Sequence, residues 1–295
     1  MMDAPVSPEM VVELTKSLDN ALVLLRVGMA TGFGISFLLN GVILQRQTSV
    51  QQDRISPNND EFILKLSRFI FVLATALTIA YFTIAMVHPY TSINDLVHVG
   101  IALVLSLLSI GFDRLKNGLP AMSFLSGAFI WLIIVIFPFL FPKETSVPKT
   151  VSWLSGLHVS TAIAGEGLFV AAFFSSLLYL WVYRNLKLKI IAKIPNLPSL
   201  SSLDNIIEKS SLAGLFLITT SLVSGLALVS SSTSPAKVGY TKIIWAFSVW
   251  GWYVLCIFGR GLWGWRGRKG AQLSLWGTAI LLLALFGTVW DLVLK

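Results

Sequence analysis

The chain has little charge and almost no sulfur chemistry. Only 12% of its 295 residues are Asp, Glu, Lys or Arg, against about 25% in a typical soluble domain. That shortage excludes a soluble globular surface and makes lipid the main solvent. A single cysteine, Cys256, excludes an internal disulfide and any CxxC redox pair; it reads as a small buried hydrophobe. There is no Walker loop, GxSxG, HExxH or paired acidic motif, so hydrolytic and metalloprotease chemistry have no support. The expectation is a protein that is not an enzyme. The first twenty residues hold Asp3, Glu9, Glu13 and Asp19 against one Lys16, the wrong charge for a secretory n-region. No cleavable signal peptide is expected.

What is present is hydrophobic. Apolar residues make up 55% of the chain and the mean hydropathy is +0.79. A membrane-spanning helix needs roughly 20 apolar residues, and in lipid every backbone polar group must be satisfied within the element. Apolar runs of this length exclude a barrel, whose strands alternate over about 10 residues. The fold class is therefore all-α, a polytopic membrane protein with eight spans. They are read at 21–44, 66–87, 96–112, 119–141, 157–183, 211–230, 242–259 and 273–294. Residues 1–20 form an external N-terminal segment, 21–150 an N-terminal four-helix half and 151–295 a C-terminal four-helix half.

Charge gives the orientation. Four loops are basic: 45–65 with Arg46, Arg54 and Lys65, 113–117 with Arg114 and Lys116, 184–209 with five Lys or Arg, and 260–269 with Arg260, Arg266, Arg268 and Lys269. The alternate loops are poorer. The positive-inside rule puts the basic loops in the cytoplasm and both termini outside. The net charge of +8 is mostly this topological signal, and nucleic acid is not an expected partner. In the loop before the sixth span, Pro195 and Pro198 interrupt helix, and Ser202 or Asp204 is placed to cap a short interfacial helix.

The three histidines, His88, His98 and His158, all fall at the external face in this topology. Imidazole is an axial ligand for haem iron, and it is also a plain interfacial anchor. Glu166 lies inside the fifth span, about 12 Å along the helix from His158 and roughly 80° around it. An intramembrane carboxylate is costly, which makes it a functional-site hypothesis. Arg26, in the outer half of the first span, would solve the desolvation of both groups by pairing with Glu166. Seven tryptophans crowd the last two spans and their junction, among them Trp245, Trp250, Trp263 and Trp265. Such residues line a porphyrin or quinone site, or simply pack and anchor at the interface.

From about Ser155 onward the sequence resembles the CcsA/HemX-type cytochrome c assembly proteins, which are polytopic haem-handling membrane proteins. The matching pieces come in order. His158 opens a span that ends YLWVYRNLKLK. LPSLSSLD at 197–204 precedes a span with Gly214 and Gly225. TKIIWAFSVWGWYVLCIFGR follows the family's run through Lys242, Trp245, Trp250, Tyr253 and Arg260. GWRGRKGA at 264–271 is close to the family's Gly-Trp-Arg-Gly-Arg signature.

Departures from the family pattern are equally specific. The family's Trp-rich outer segment, ending Trp-Asp-Pro-Lys-Glu, aligns here with ALVSSSTSPAKVGYTK, which has neither Trp nor acid. A family His beside the Arg is Phe258, and the chain reaches Lys295 without a second external His.

The resemblance implies haem as cofactor, held near the external face by His158 with His98 or His88, and aided by Trp245 and Lys242. It implies an inner (cytoplasmic) membrane location, lipid as solvent and other assembly subunits as partners. Two alternatives carry different roles. One is a HemX-like regulator that acts on a cytoplasmic haem-pathway enzyme such as glutamyl-tRNA reductase. The other is a small-molecule transporter using Glu166 and Arg26.

Overall fold

A computed structural model of the chain describes residues 8–48, 57–87, 93–115, 120–140, 153–188, 198–231 and 240–293. Among these residues the secondary structure is entirely helical. The helices are α1 (Pro8–Thr48), α2 (Pro57–Val87), α3 (Ile93–Leu115), α4 (Pro120–Leu140), α5 (Trp153–Lys187), α6 (Leu200–Ser231), α7 (Tyr240–Leu262) and α8 (Arg268–Val293). Five of them, α1, α2, α5, α6 and α7, are long and apolar enough to cross a bilayer. The apolar stretches described in α3 and α4 are shorter, Leu96–Gly111 and Leu125–Ile136.

Several helices outrun the membrane. At 1.5 Å per residue the 41 residues of α1 span roughly 60 Å, about twice the hydrocarbon thickness. Helix α6 is one continuous rod of 32 residues, so among the described residues Ser202 and Asp204 belong to the spanning helix itself and not to a separate interfacial one. Its cap also differs from expectation. Ser199 Oγ accepts the backbone N–H of Ser202 at 3.2 Å, the geometry of an N-cap bonding the third helical residue. Ser202 and Asp204 lie inside the helix, and Asp204 is used elsewhere.

Polar side chains within the spans are consumed locally. Thr75, Thr78, Ser109, Ser175 and Ser176 each donate to the carbonyl four residues back, which satisfies the hydroxyl without a partner helix. Hydroxyl pairs also cross between helices, among them Ser36 with Ser67 at 3.0 Å and Ser109 with Ser126 at 2.7 Å. Such bonds join helices where lipid offers no hydrophobic drive to associate.

Helix α1 packs on α2 and α4, and the most extensive pairing in the molecule is α5 with α6. One large core runs from Met29 and Phe33 of α1 through Val99 and Leu105 of α3 to Phe174 of α5 and Leu203 of α6. A second, smaller core joins Phe169, Ile218, Val249, Tyr253 and Leu281 of α5 to α8. Glycine sets the α5–α6 crossing. A Cβ on Gly165 would meet the Gly214 carbonyl at 3.2 Å, and one on Gly214 would meet the Gly165 carbonyl at the same distance. Small residues let the two backbones approach this closely. Phe169 then stacks on Tyr253 of α7, with ring centroids 3.5 Å apart.

Candidate functional site

The C-terminal helices carry polar chemistry at their two opposite ends. At one end, α5 brings His158, α6 brings Ser221 and α7 brings Trp245 to a common cavity of about 240 Å³. Glu166 lines it two turns further along α5, and Ile218, Leu222, Val249 and Leu281 supply apolar wall.

His158 is held by its Nδ1. That nitrogen lies 2.8 Å from the Ser221 carbonyl and 3.1 Å from Ser221 Oγ. A carbonyl can only accept, so Nδ1 carries the proton and donates. In the neutral ring Nε2 then carries the lone pair, and it has no hydrogen-bond partner among the described residues. A ring fixed through Nδ1–H to a backbone carbonyl, with Nε2 open, is the arrangement of a metal-ligating histidine. Gly225 makes the space: a Cβ there would sit 2.8 Å from His158 Cε1. Ser221 Oγ also reaches back to the His158 carbonyl at 3.2 Å, so α5 and α6 are tied on both sides of the imidazole.

His98 has another partner. It lies in α3, is 1% exposed, and its Nε2 is 2.6 Å from Arg26 Nη2. The guanidinium can only donate, so the Nε2 lone pair is the acceptor. Arg26 also lies over the Tyr81 ring, 5.7 Å from its centroid. Arg26 therefore pairs with His98 rather than with Glu166, contrary to the expectation from depth. The physical reason is the register of α1 against α3, which sequence depth alone does not fix. Among the described residues the Glu166 carboxyl makes neither hydrogen bond nor ion pair.

The structure thus brings His158, Glu166 and Trp245 together and leaves His98 out of their cavity. Lys242 is in the first turn of α7, with its side chain outside the described residues. His88 also lies outside the described residues.

The donor set bears on what the cavity can hold. Among the described residues no group of three or more His, Cys, Asp or Glu converges on a metal position. A lone imidazole suits an axial role on a macrocycle, which brings its own equatorial donors, better than it suits a free ion. The cavity volume is slightly under the 300–1,000 Å³ or so of sites that enclose a drug-sized ligand. Its lining offers one imidazole, the Trp245 indole and an aliphatic wall.

At the opposite end of the same helices, two stretches singled out by the sequence meet. Arg260, at the end of α7, is 6% exposed. Its Nη2 reaches Asp204 Oδ2 at 3.0 Å and Glu208 Oε2 at 3.1 Å, both on α6. Asp204 Oδ1 accepts the Gly267 backbone N–H at 3.1 Å. The turn between α7 and α8 needs its glycines: Gly264 and Gly267 have φ of 63° and 64°, the left-handed region other residues avoid. Trp265 folds back against Gly259, where any Cβ would strike the indole, and its N–H bonds the Gly259 carbonyl at 3.1 Å. LPSLSSLD and GRGLWGWRGRKG are therefore two halves of one ionic node. Sequence reading placed both stretches on one face but gave no sign that Asp204 and Arg260 touch. It also passed over Ser221, since a serine among many in α6 carries no distinguishing signal.

Comparison with known proteins agrees with this architecture. The Cytochrome C assembly protein family matches residues 35–294. The chain is similar to inner membrane protein YpjD of Escherichia coli K12, with 26% identity over 132 residues, or 45% of this chain and 49% of that protein. The same figures hold for YpjD of strains O6:H1 and O157:H7. The chain spans about half the length of the curated relatives it matches. With a family match over most of its length, this multi-pass membrane protein belongs to the cytochrome c assembly protein family.

Proposed function

We propose that the chain handles haem at the His158 cavity, as a non-enzymatic component of cytochrome c assembly. The observation that carries this reading is the state of His158. Its Nδ1–H is spent on the Ser221 carbonyl, and its Nε2 lone pair is left for a ligand at an apolar cavity lined by Trp245. When bound, haem would supply the iron and its redox and ligand chemistry. The chain would supply the His158 imidazole, the Trp245 indole and the aliphatic wall of Ile218, Leu222 and Val249 to hold it. His98, engaged by Arg26, would have to leave that bond to serve as a second ligand, so the ligand set begins with His158 alone. The four basic loops support cytoplasmic placement of the Arg260 node. The His158 cavity then faces outward, and both termini are external. Other assembly subunits are the partners this role implies.

The test is direct. Protein purified from haem-replete cells, or titrated with ferric haem, should show a Soret band that His158→Ala removes and His98→Ala leaves in place. A colourless protein that instead captures a soluble haem-pathway enzyme would overturn the reading in favour of a regulator.

A further inference from the structure

The Arg260 node is only half satisfied by the groups already described. The side chain is nine-tenths buried, yet both carboxylates sit on Nη2. Nε and Nη1 are fully buried and have no hydrogen-bond partner among the described residues. The same is true of Ser274 Oγ on α8. These orphaned atoms are not scattered. Arg260 and Ser274 line one small cavity with Ser211 of α6, between α6, α7 and α8. Leaving a buried donor unpaired costs the full desolvation of that group, and more so for a charged one. Nη1 and Ser274 Oγ, both unpaired beside a space that Gly270 also borders, therefore call for a common partner.

The size of the space identifies it. The cavity holds about 10 Å³, close to the smallest volume that accepts one water molecule. Nothing larger enters. A cation is excluded by the guanidinium, and an anion is not called for because Asp204 and Glu208 already outnumber the single positive charge. We propose that one water molecule is a built-in part of this node, accepting from Arg260 Nη1 and bonding the hydroxyls of Ser274 and Ser211. Three bonds is the usual complement of a buried water. The water gives α8 a polar link to Arg260 and α6 that no direct side-chain bond supplies at Ser274. It converts a pairwise ion bridge between α6 and α7 into a three-helix junction. Gly270 borders the same space, where a Cβ would lie 2.5 Å from Nη1, so the junction also needs glycine there.

Two measurements on the full chain test this. A cryo-EM map of the protein in lipid nanodiscs, sharp enough to show ordered water, should contain density within about 3 Å of both Arg260 Nη1 and Ser274 Oγ. A map in which Nη1 instead bonds a protein carbonyl, such as that of Trp265, and no density fills the cavity would overturn the proposal. The second measurement is a thermal-unfolding cycle on Ser211→Ala, Ser274→Ala and the double variant. The two hydroxyls share no direct bond, so a common water predicts that the double variant melts within a degree or so of the worse single variant. Additive shifts of the melting temperature would show that the hydroxyls act independently, and the shared water would be ruled out.

Discussion

The two ends of the C-terminal helices are built on opposite principles. At the Arg260 end each charge meets an opposite one: Arg260 has two carboxylates, and Asp204 has both a guanidinium and the Gly267 N–H. At the His158 end the polar groups stay open: His158 and Glu166 line a mostly apolar cavity, and among the described residues neither Nε2 of the imidazole nor the Glu166 carboxyl has a partner. An ionic node in which each charge meets its counter-charge fixes helices in place. An open set of lone pairs in an apolar wall is where a ligand gains most, because each group is desolvated in advance and unspent. The contrast gives stability to one end and leaves the other for the proposed recognition.

Substitutions should separate the two ends. The largest loss is expected at Arg260. Removing one partner of a buried ion pair leaves the others uncompensated, at about 3–5 kcal/mol. Arg260→Ala should therefore sharply reduce folded protein, read as the monodisperse fraction in detergent chromatography. Glu208→Ala should do far less, since its side chain is 46% exposed against 18% for Asp204. Equal losses at the two acids would remove the distinction between the buried and peripheral arms of the node.

A smaller structural effect with a large functional one is expected at Gly225. The added methyl of Gly225→Ala would press on His158 at 2.8 Å, an overpacking worth roughly 1–3 kcal/mol. If the imidazole yields, the bond to the Ser221 carbonyl is lost and Nε2 turns away. Haem uptake should then fall by about 10–100-fold, the usual effect of losing an orienting contact, while the folded yield stays close to that of the parent. Unchanged haem affinity would mean that the orientation of His158 does not matter to binding.

Much of this architecture was legible in the sequence because lipid imposes a strong pattern. Hydropathy marked eight apolar runs; among the described residues eight helices overlap them, and five of these are long and apolar enough to cross a bilayer. The ends were less legible. Helix α6 begins at Leu200, eleven residues before its apolar run, because Ser199 caps it and Arg260 neutralises the acids of its first turns. Hydropathy does not register such charge pairing. The candidate site was legible in its parts. His158, Glu166 and Trp245 were each conspicuous as polar or aromatic groups in an apolar setting. Their neighbours were not, because contact depends on helix rotation and register. Depth placed Arg26 near Glu166, and depth says nothing about which helix faces which.

A coupling measurement is the most direct check of that register. Arg26 donates to His98 Nε2, a charged hydrogen bond worth about 1.5–3 kcal/mol, and Glu166 lines a different cavity on α5. Residues in contact couple by about 0.5–3 kcal/mol, whereas distant ones add within about 0.3–0.5 kcal/mol. Arg26→Ala combined with His98→Ala should therefore cost clearly less than the sum of the single losses. Arg26→Ala combined with Glu166→Ala should cost the sum. Thermal unfolding of the five proteins and the parent in one detergent measures both cycles. Coupling between Arg26 and Glu166 would mean that α1 and α5 approach each other in the membrane, and the separation of His98 from the His158 cavity would fall with it.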